Sequence, residues 1–238
     1  CLSIIERVHS MFLDSAIVYG HGTDNAWDEA VYLVTSLSGL PDSDQSVASE
    51  VSQKIERKII DYAERRIKER IPLAYLLGFC QYGGHRFSIS EGVVIPRSPI
   101  GLLVAEGDLE SWVGKGVRRI LDLCTGSGCL GILAAHEYPE AEVVLVDKEP
   151  LAVDLAKKNV QEHDLQSRVS VVKKDVTSET LGDLGEFDLI LCNPPYVDEI
   201  DMRSLPEEFL KEPVVGLDGG VDGMDLVSHV IRHAKKQL

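Results

Sequence analysis

The sequence predicts an α/β fold in which a parallel sheet follows a small helical bundle. Four short apolar runs, at residues 120–123, 143–146, 169–173 and 187–191, have the length and composition of buried strands. A helical stretch separates the first two runs, as in a βαβ unit, and such units build parallel sheets. With 238 residues, of which 44% are hydrophobic, the chain can form one large and one small domain with real cores.

The first 78 residues are predicted to form the bundle. The predicted helices cover residues 3–18, 26–37 and 47–71. Asp24 or Asn25 is the candidate N-cap of the second helix, and Gly39 is its candidate stop. In the third stretch an apolar residue recurs at every fourth position between charged ones, which indicates one long amphipathic helix or two abutting helices, ended by Pro72.

Residues 79–100 are predicted to link the bundle to a larger domain of residues 101–238. Two strand-like runs flank Gly83-Gly84, a pattern typical of a β-hairpin with a two-residue turn. The loop that follows holds Arg97 between two prolines, which make it stiff. Arg97 could therefore face a bound carboxylate or a substrate, or it could be a solvated linker residue.

A glycine loop follows the first predicted strand of the larger domain. Gly126, Gly128 and Gly131 match the G-x-G-x-x-G pattern of dinucleotide-binding proteins. Against a dinucleotide stands Asp122, whose carboxylate would lie near the pyrophosphate and repel it. S-adenosyl-L-methionine has no phosphate, so an acidic loop without Lys or Arg favours that cofactor. The residues of this loop expected to contact it are Asp122, Cys124, Thr125, Gly126, Ser127 and Gly128.

Two further acids end predicted strands. Asp147 follows the second strand, where the acid of a nucleoside-binding βαβ unit accepts hydrogen bonds from ribose hydroxyls. Asp175 follows the third strand and could accept from an adenine amino group while Val176 packs on the ring. For Asp175 an ordinary capping or loop role is the alternative.

The tetrapeptide Asn193-Pro194-Pro195-Tyr196 directly follows the fourth apolar run. Open α/β sheets bind ligands at the carboxyl ends of their strands. Prolines have no N–H, so the turn offers acceptors that could hold both hydrogens of an NH₂ group: the side-chain oxygen of Asn193 and the carbonyl of Pro194. The Tyr196 ring could stack on the planar group that is held. The alternative is an ordinary strand-to-loop turn.

From about residue 71 onward, the chain resembles the HemK-type protein glutamine N5-methyltransferases. The resemblance implies that Asn193 to Tyr196 hold a glutamine side chain and that the glycine loop, Asp147 and the Asp175-Val176 pair contact S-adenosyl-L-methionine. Asn193 is expected to contact the cofactor as well. The loop Ile95-Pro-Arg-Ser-Pro-Ile-Gly101 resembles the branch that modifies large-subunit ribosomal protein three, rather than the branch that modifies peptide-chain release factors. In the first branch a Glu usually follows the glycine, whereas this chain has Leu102.

The resemblance also has structural implications. It implies a Rossmann-like methyltransferase sheet and a substrate-recognition role for the helical bundle, although a purely capping role fits the sequence equally well. It implies three further strands after the helix that begins near Met224. We therefore expect a chain that is short at its C-terminus and, since Cys1 stands in place of an initiator Met, one that begins inside the natural protein.

Charge and cysteine content narrow the choice of partners. The formal net charge of −15 argues against a nucleic acid backbone and suits a basic protein substrate such as a ribosomal protein. Five cysteines without a C-x-x-C pair indicate free thiols in a reducing cytoplasm and no metal. His85 and His136 are expected to be surface or packing residues, and no apolar run predicts a membrane span. Adenine N6 methylation and a non-enzymatic cofactor-binding module remain the alternative functions.

Overall fold

The computed structural model describes residues 1–40, 51–114, 116–178 and 180–238. By their contacts the residues divide into two compact units. The helical unit comprises Cys1–Gly78 and Pro206–Lys211, and the sheet unit comprises Phe79–Leu205 and Glu212–Leu238. One boundary between the units lies at Gly78, and the predicted hairpin region is part of the sheet unit. The segment Pro206–Lys211 was not expected in the helical unit.

Within residues 1–40 and 51–78 and the segment Pro206–Lys211, the helical unit shows four helices and one single-turn 3₁₀ helix at Phe209–Lys211. The helices are α1 (Leu2–Leu13), α2 (Ala26–Ser38), α3 (Gln53–Glu69) and α4 (Leu73–Leu77). The Asn25 side chain caps α2 by accepting from the Asp28 N–H, and Gly39 ends α2 in the left-handed region at φ +68°. The predicted start of the third helix near residue 47 lies outside the described residues.

Helix α1 ends at Leu13, five residues before the sequence pattern suggested. The backbone of Val18 is used by tertiary partners instead: its N–H donates to Glu208 Oε1 at 2.9 Å, and its carbonyl accepts from Arg66 Nη2 at 2.8 Å. Arg66 is buried and also pairs with Glu29 at 2.6 Å and with Glu208 at 3.3 Å. The apolar periodicity of residues 14–18 was therefore overridden by a buried ion network.

The sheet unit is built on four parallel strands in the order β5-β4-β3-β6. The strands are β3 (Arg119–Leu123), β4 (Glu142–Asp147), β5 (Val169–Lys173) and β6 (Leu189–Cys192). The chain runs outward from β3 to β5 and then returns to the other side of β3. The strand order thus reverses between β3 and β6, and such a switch point opens a ligand crevice at the carboxyl edge. In register, Leu123 of β3 lies opposite Cys192 of β6.

The remaining elements cover this sheet or lead into it. The helices are α5 (Pro99–Ala105), α6 (Glu110–Val113), α7 (Cys129–Glu137), α8 (Pro150–Glu162), α9 (Glu199–Met202) and α10 (Asp225–Ala234). Single 3₁₀ turns lie at Gly182–Leu184, Val214–Gly216 and Lys235–Gln237. The predicted hairpin is confirmed as an antiparallel pair of β1 (Phe79–Tyr82) and β2 (His85–Ser88). In the described ranges, no helix has both the length and the apolar character needed to cross a membrane.

Candidate active site

The glycine loop after β3 and the start of the helix that follows have two positions where there is no room for a side chain. Gly128 precedes α7 with φ +83°, and a Cβ there would come within 3.2 Å of both Ala156 and Leu145. A Cβ on Gly131 would stand 2.1 Å from Leu145 Cδ2. The glycines therefore let helix α7 pack directly on strand β4, and the start of α7 is held beside the loop.

Asp122 supports this loop from beneath. Its side chain is fully buried, and Oδ2 accepts hydrogen bonds from the Thr125 hydroxyl and from the Gly131 N–H. Burial raises the pKa of Asp122 to about 7, although both hydrogen bonds act in the opposite direction. Asp122 does not line the cavity described below. The expectation of a direct cofactor contact is corrected here to a supporting role, because the carboxyl group points into the core.

Asp147 and Asp175 both line the cavity, and both also order the local backbone. Asp147 Oδ2 accepts from the Gly126 N–H at 2.8 Å, and its Oδ1 accepts from the Glu149 N–H at 3.0 Å. Asp175 Oδ1 accepts from both the hydroxyl and the N–H of Thr177, and these bonds lower the pKa of Asp175. Carboxylate oxygens have further lone pairs, so each acid can still accept from a ligand.

The tetrapeptide Asn193 to Tyr196 leaves the carboxyl end of β6 beside the glycine loop. Its four residues all line the same cavity as Thr125 and Gly126. Within the described chain, no hydrogen bond engages the Asn193 side chain. The Tyr196 side chain lies at the rim with 60% of its surface exposed. The strand order thus brings together two motifs that are about 70 residues apart in sequence.

A second glycine-rich segment holds the tetrapeptide from the other side. The Val197 N–H donates to the Leu217 carbonyl at 2.9 Å, and the Gly219 N–H donates to the Val197 carbonyl at 2.8 Å. A Cβ on Gly219 would stand 2.7 Å from Tyr196 Cα, and one on Gly223 would stand 2.3 Å from the Tyr196 carbonyl oxygen. Sequence reasoning assigned no role to this segment, although its run of glycines was the available signal of a close backbone approach.

The Pro-Arg-Ser-Pro loop is held by an internal ion pair. Arg97 Nη1 and Nη2 donate to the two carboxylate oxygens of Glu212, each at 2.7 Å, and Glu212 also accepts from the Ile95 N–H at 2.8 Å. Glu212 is buried. Arg97 lines the cavity while its guanidinium pairs with Glu212 and so holds the loop, and its contact with a ligand stays a prediction.

Local packing also explains why Ser98, Pro99 and Gly101 stand in this loop. The Ser98 side chain caps helix α5, and Pro99 occupies the first turn of that helix. The Tyr82 hydroxyl donates to the Ser98 carbonyl. A Cβ on Gly101 would stand 2.0 Å from the Tyr82 oxygen, so glycine is needed where this ring packs.

The cavity collects nearly all of the predicted site residues. Those that line it are Arg97, Cys124, Thr125, Gly126, Ser127, Asp147, Asp175, Val176, Asn193, Pro194, Pro195 and Tyr196. Asp122 and Gly128 lie behind its wall. Apolar side chains that the sequence had not indicated, among them Val93 and Leu226, complete the lining.

The cysteines at the site do not have the environment of nucleophiles. A hydrogen bond with the Cys124 thiol, together with burial, raises the pKa of Cys192. The five cysteines are all free thiols, as the sequence indicated. Cys192 therefore stays protonated at the end of its strand, which supports a packing role.

Comparison with known proteins relates the chain to methyltransferases. A family model described as a methyltransferase small domain matches residues 109–222. The ribosomal protein uL3 glutamine methyltransferase of Bordetella pertussis is 45% identical over 228 residues, which cover 93% of this chain and 75% of that protein. The protein of the same name from Francisella tularensis subsp. tularensis is 39% identical over 226 residues, which cover 93% of this chain and 71% of that protein.

A solved structure has the same type of fold. The catalytic domain of hMettl16, crystallised with the MAT2A 3′UTR hairpin 6, superposes with a TM-score of 0.50 at 17% identity. The match covers 78% of this chain and 64% of that one, so the chain spans less than two thirds of the solved domain. The likeness confirms the α/β, Rossmann-like fold that the sequence predicted.

Proposed function

Because the chain belongs to the family of ribosomal protein uL3 glutamine methyltransferases, we propose that it transfers a methyl group from S-adenosyl-L-methionine to the side-chain amide nitrogen of a glutamine in uL3. The protein is a methyltransferase. The observation that carries the finer assignment is the shared cavity of the Asn193 to Tyr196 turn and the glycine loop.

The cofactor assignment is supported by the donor and acceptor set of the cavity. The glycine loop contains no Lys or Arg, and two of the three cations that line the cavity, Arg97 and Lys174, are paired with Glu212 and Asp183. The third, Lys148, lies in sequence between Asp147 and Glu149, so its charge has acids next to it. The lining carboxylates suit a ligand that carries hydroxyls and an ammonium group. Asp147 would accept from the ribose hydroxyls, Asp175 from the adenine amino group, and Val176 would pack on the ring.

S-adenosyl-L-methionine supplies an electrophilic methyl group on its sulfonium centre when bound. The residues of this chain then have to orient a weak nucleophile, because the lone pair of an amide nitrogen is delocalised into its carbonyl. The Asn193 Oδ1 and the Pro194 carbonyl would accept the two amide hydrogens. The absence of an N–H on Pro194 and Pro195 keeps competing donors away from this turn.

Tyr196 and the surrounding backbone would complete the site that holds the glutamine amide. The exposed Tyr196 ring stands at the rim, where it could cover the planar amide of an entering glutamine. The close backbone contacts of Gly219 and Gly223 with Tyr196 keep the turn stiff. Orientation of this kind can lower a barrier by roughly 7–11 kcal/mol at best. We assign no general base, since methyl transfer would leave a neutral thioether and an amide nitrogen that carries the positive charge with both its hydrogens, and this cation is acidic enough to lose one proton to water.

Substrate recognition is assigned to the helical unit. This proposal is supported by the path of the chain: the segment Pro206–Lys211, ten residues after Tyr196, packs within the helical unit before the chain returns at Glu212. The buried Glu208 anchors this segment on Arg66. The net charge of −15 would speed the encounter with a basic ribosomal protein and would do so less at high salt.

The test is a comparison of substrates under one set of conditions. The protein is incubated with labelled methyl donor and, separately, with isolated uL3, peptide-chain release factors, and adenine-containing DNA or RNA. We expect label only in uL3, on one glutamine, which gains the mass of one CH₂ group by peptide mass spectrometry. Label in a release factor would overturn the choice of substrate, and label in nucleic acid would overturn the assignment to glutamine.

A further inference from the structure

Three histidines that are far apart in sequence meet on the surface of the sheet unit. His85 begins strand β2, His136 lies in the last turn of α7, and His163 follows the last residue of α8. One ring nitrogen of each lies within 4.8 Å of a ring nitrogen of the other two. His136 is exposed, and the other two are half-buried. None of the three lines the methyltransferase cavity.

A backbone hydrogen bond selects the tautomer of His163. Its Nε2 lies 3.0 Å from the Arg86 carbonyl oxygen, which can only accept, so Nε2 carries the hydrogen. In the neutral ring, Nδ1 then has a free lone pair. Metal-binding histidines commonly have this arrangement, in which the second ring nitrogen donates to a carbonyl and fixes the ring.

The lone pair of His163 points toward the next histidine. His136 Nε2 lies 3.0 Å from His163 Nδ1 and donates a hydrogen bond to it, so metal binding would require the hydrogen of His136 to move to its Nδ1. Nitrogen ligands at 2.0–2.1 Å from a tetrahedral zinc ion stand about 3.3 Å apart. This pair is therefore already close to the spacing of two ligands. The His85 ring stacks on that of His136 with centroids 4.4 Å apart, so His85 would have to leave this stack to bind the same ion.

The backbone charges around the three histidines favour a bound cation. Helices α7 and α8 both end at the cluster, and helix C-termini carry partial negative charge. Arg168 acts against a cation, but its guanidinium donates to the carbonyls of Ala135 and Ala141.

We propose that His85, His136 and His163 form a binding site for a divalent transition-metal ion, with Zn²⁺ as the ion of best fit and water in the fourth position. Three imidazoles without a carboxylate in the set favour Zn²⁺ and similar metals over Mg²⁺ or Ca²⁺. The sequence predicted no metal because the three residues lie at 85, 136 and 163, far outside the short spacings of known zinc motifs.

The bound ion would join the hairpin to the ends of two helices. The hairpin is already tied to the glycine loop by the buried Asn159, whose side chain bonds to the Ser88 backbone and to the Ser127 carbonyl. The ion would thus stabilise the scaffold behind the cavity. Its effect is on stability and does not depend on which substrate is methylated.

The test uses the untagged full chain, freed of metal by a chelator. Zn²⁺ binding is followed by titration calorimetry, and Co²⁺ binding by its visible absorption, which reports the geometry of the ion. We expect one tightly bound ion, a Co²⁺ spectrum of a tetrahedral site, and a rise in Tm with Zn²⁺. His85→Ala, His136→Ala and His163→Ala should each weaken binding by about tenfold or more.

Two control variants separate this site from other histidines. His9→Ala removes a half-buried histidine of the helical unit, and the double variant His229→Ala/His233→Ala removes a stacked pair on α10. Both controls should bind Zn²⁺ like the parent chain and show the same rise in Tm. The proposal is overturned if the chain binds no Zn²⁺, if the three alanine variants bind as the parent does, or if binding is lost in the α10 double variant.

Discussion

Gly223 packs against Tyr196 so closely that a Cβ atom on Gly223 would stand 2.3 Å from the Tyr196 carbonyl oxygen. The residue also has φ +71°, a conformation that side chains rarely adopt. Gly223→Ala should therefore push the backbone of the tetrapeptide away from the cavity. A misplacement of about 1 Å can reduce a rate about 100-fold, so we expect a loss of that order in kcat for uL3 methylation.

Gly39→Ala is the matched control for that variant. Gly39 has nearly the same φ, +68°, but a Cβ there would meet nothing within 4 Å. The strain of the left-handed conformation, about 1–2 kcal/mol, is common to both variants. Gly39→Ala should thus lower Tm slightly and leave kcat unchanged. Equal losses of kcat in the two variants would contradict the contact at Tyr196.

Replacement of Glu212 is expected to destabilise the folded protein. Its buried carboxylate pairs with Arg97 and accepts from the Ile95 N–H. Glu212→Ala leaves that N–H and the Arg97 guanidinium without their main acceptor. Because the Arg97 side chain is partly exposed, we expect a loss of stability below the roughly 3–5 kcal/mol of a fully buried pair. Urea unfolding of the variant measures this loss directly.

An exposed ion pair provides the comparison for Glu212. Glu69 pairs with Arg65 on the surface of α3 at 3.1 Å. Water screens that pair, so Glu69→Ala should unfold at nearly the same urea concentration as the parent chain. If Glu212→Ala were equally stable, the Pro-Arg-Ser-Pro loop would not depend on its ion pair.

Much of the fold could be predicted from local patterns. The apolar runs predicted β3 to β6 to within two residues, and the Gly83-Gly84 turn predicted the hairpin, because both signals depend on neighbours in sequence. The strand order could not be read from the chain in the same way. It is set by which helix packs on which face, and it alone explains why Thr125 and Asn193 share a cavity.

The partners of two charged site residues could not be predicted from the sequence. Arg97 and Asp122 were expected to contact a ligand because a charged residue near a glycine or proline loop often does. Their partners, Glu212 and the Gly131 N–H, lie at positions that only the folded chain brings close. A sequence gives the type of a side chain but not whether its charge is already paired. The end of α1 was predicted wrongly for the same reason, since Glu208 accepts a hydrogen bond from the Val18 N–H.

Asp122 predicts a pH dependence of stability. Burial raises its pKa from 3.8 to about 7 in the folded chain, so between these values the native state holds a proton that the unfolded state has released. The stability that the protonated Asp122 contributes below pH 3.8 is therefore lost as the pH rises toward about 7. The slope can reach about 1.4 kcal/mol per pH unit. Asp122→Asn should flatten the pH profile of the unfolding free energy in this window.

The exposed Asp188 is the control for this profile. Backbone N–H groups of Arg118 and Arg119 lower its pKa, so its contribution to stability is lost only as the pH falls below the ordinary range of Asp. Asp188→Asn should leave the slope between pH 3.8 and about 7 as it is in the parent chain. An unchanged slope in Asp122→Asn would mean that burial does not hold the proton on that carboxyl.

Single-turnover methylation of uL3 by Asn193 variants measures whether the turn after β6 orients the amide nitrogen for transfer. Asn193→Ala removes an acceptor, and we expect the rate of transfer to fall by about 100-fold or more while the affinity for the methyl donor changes far less. Asn193→Asp keeps an acceptor oxygen and should give an intermediate rate. A transfer rate in Asn193→Ala close to that of the parent chain would contradict the claim.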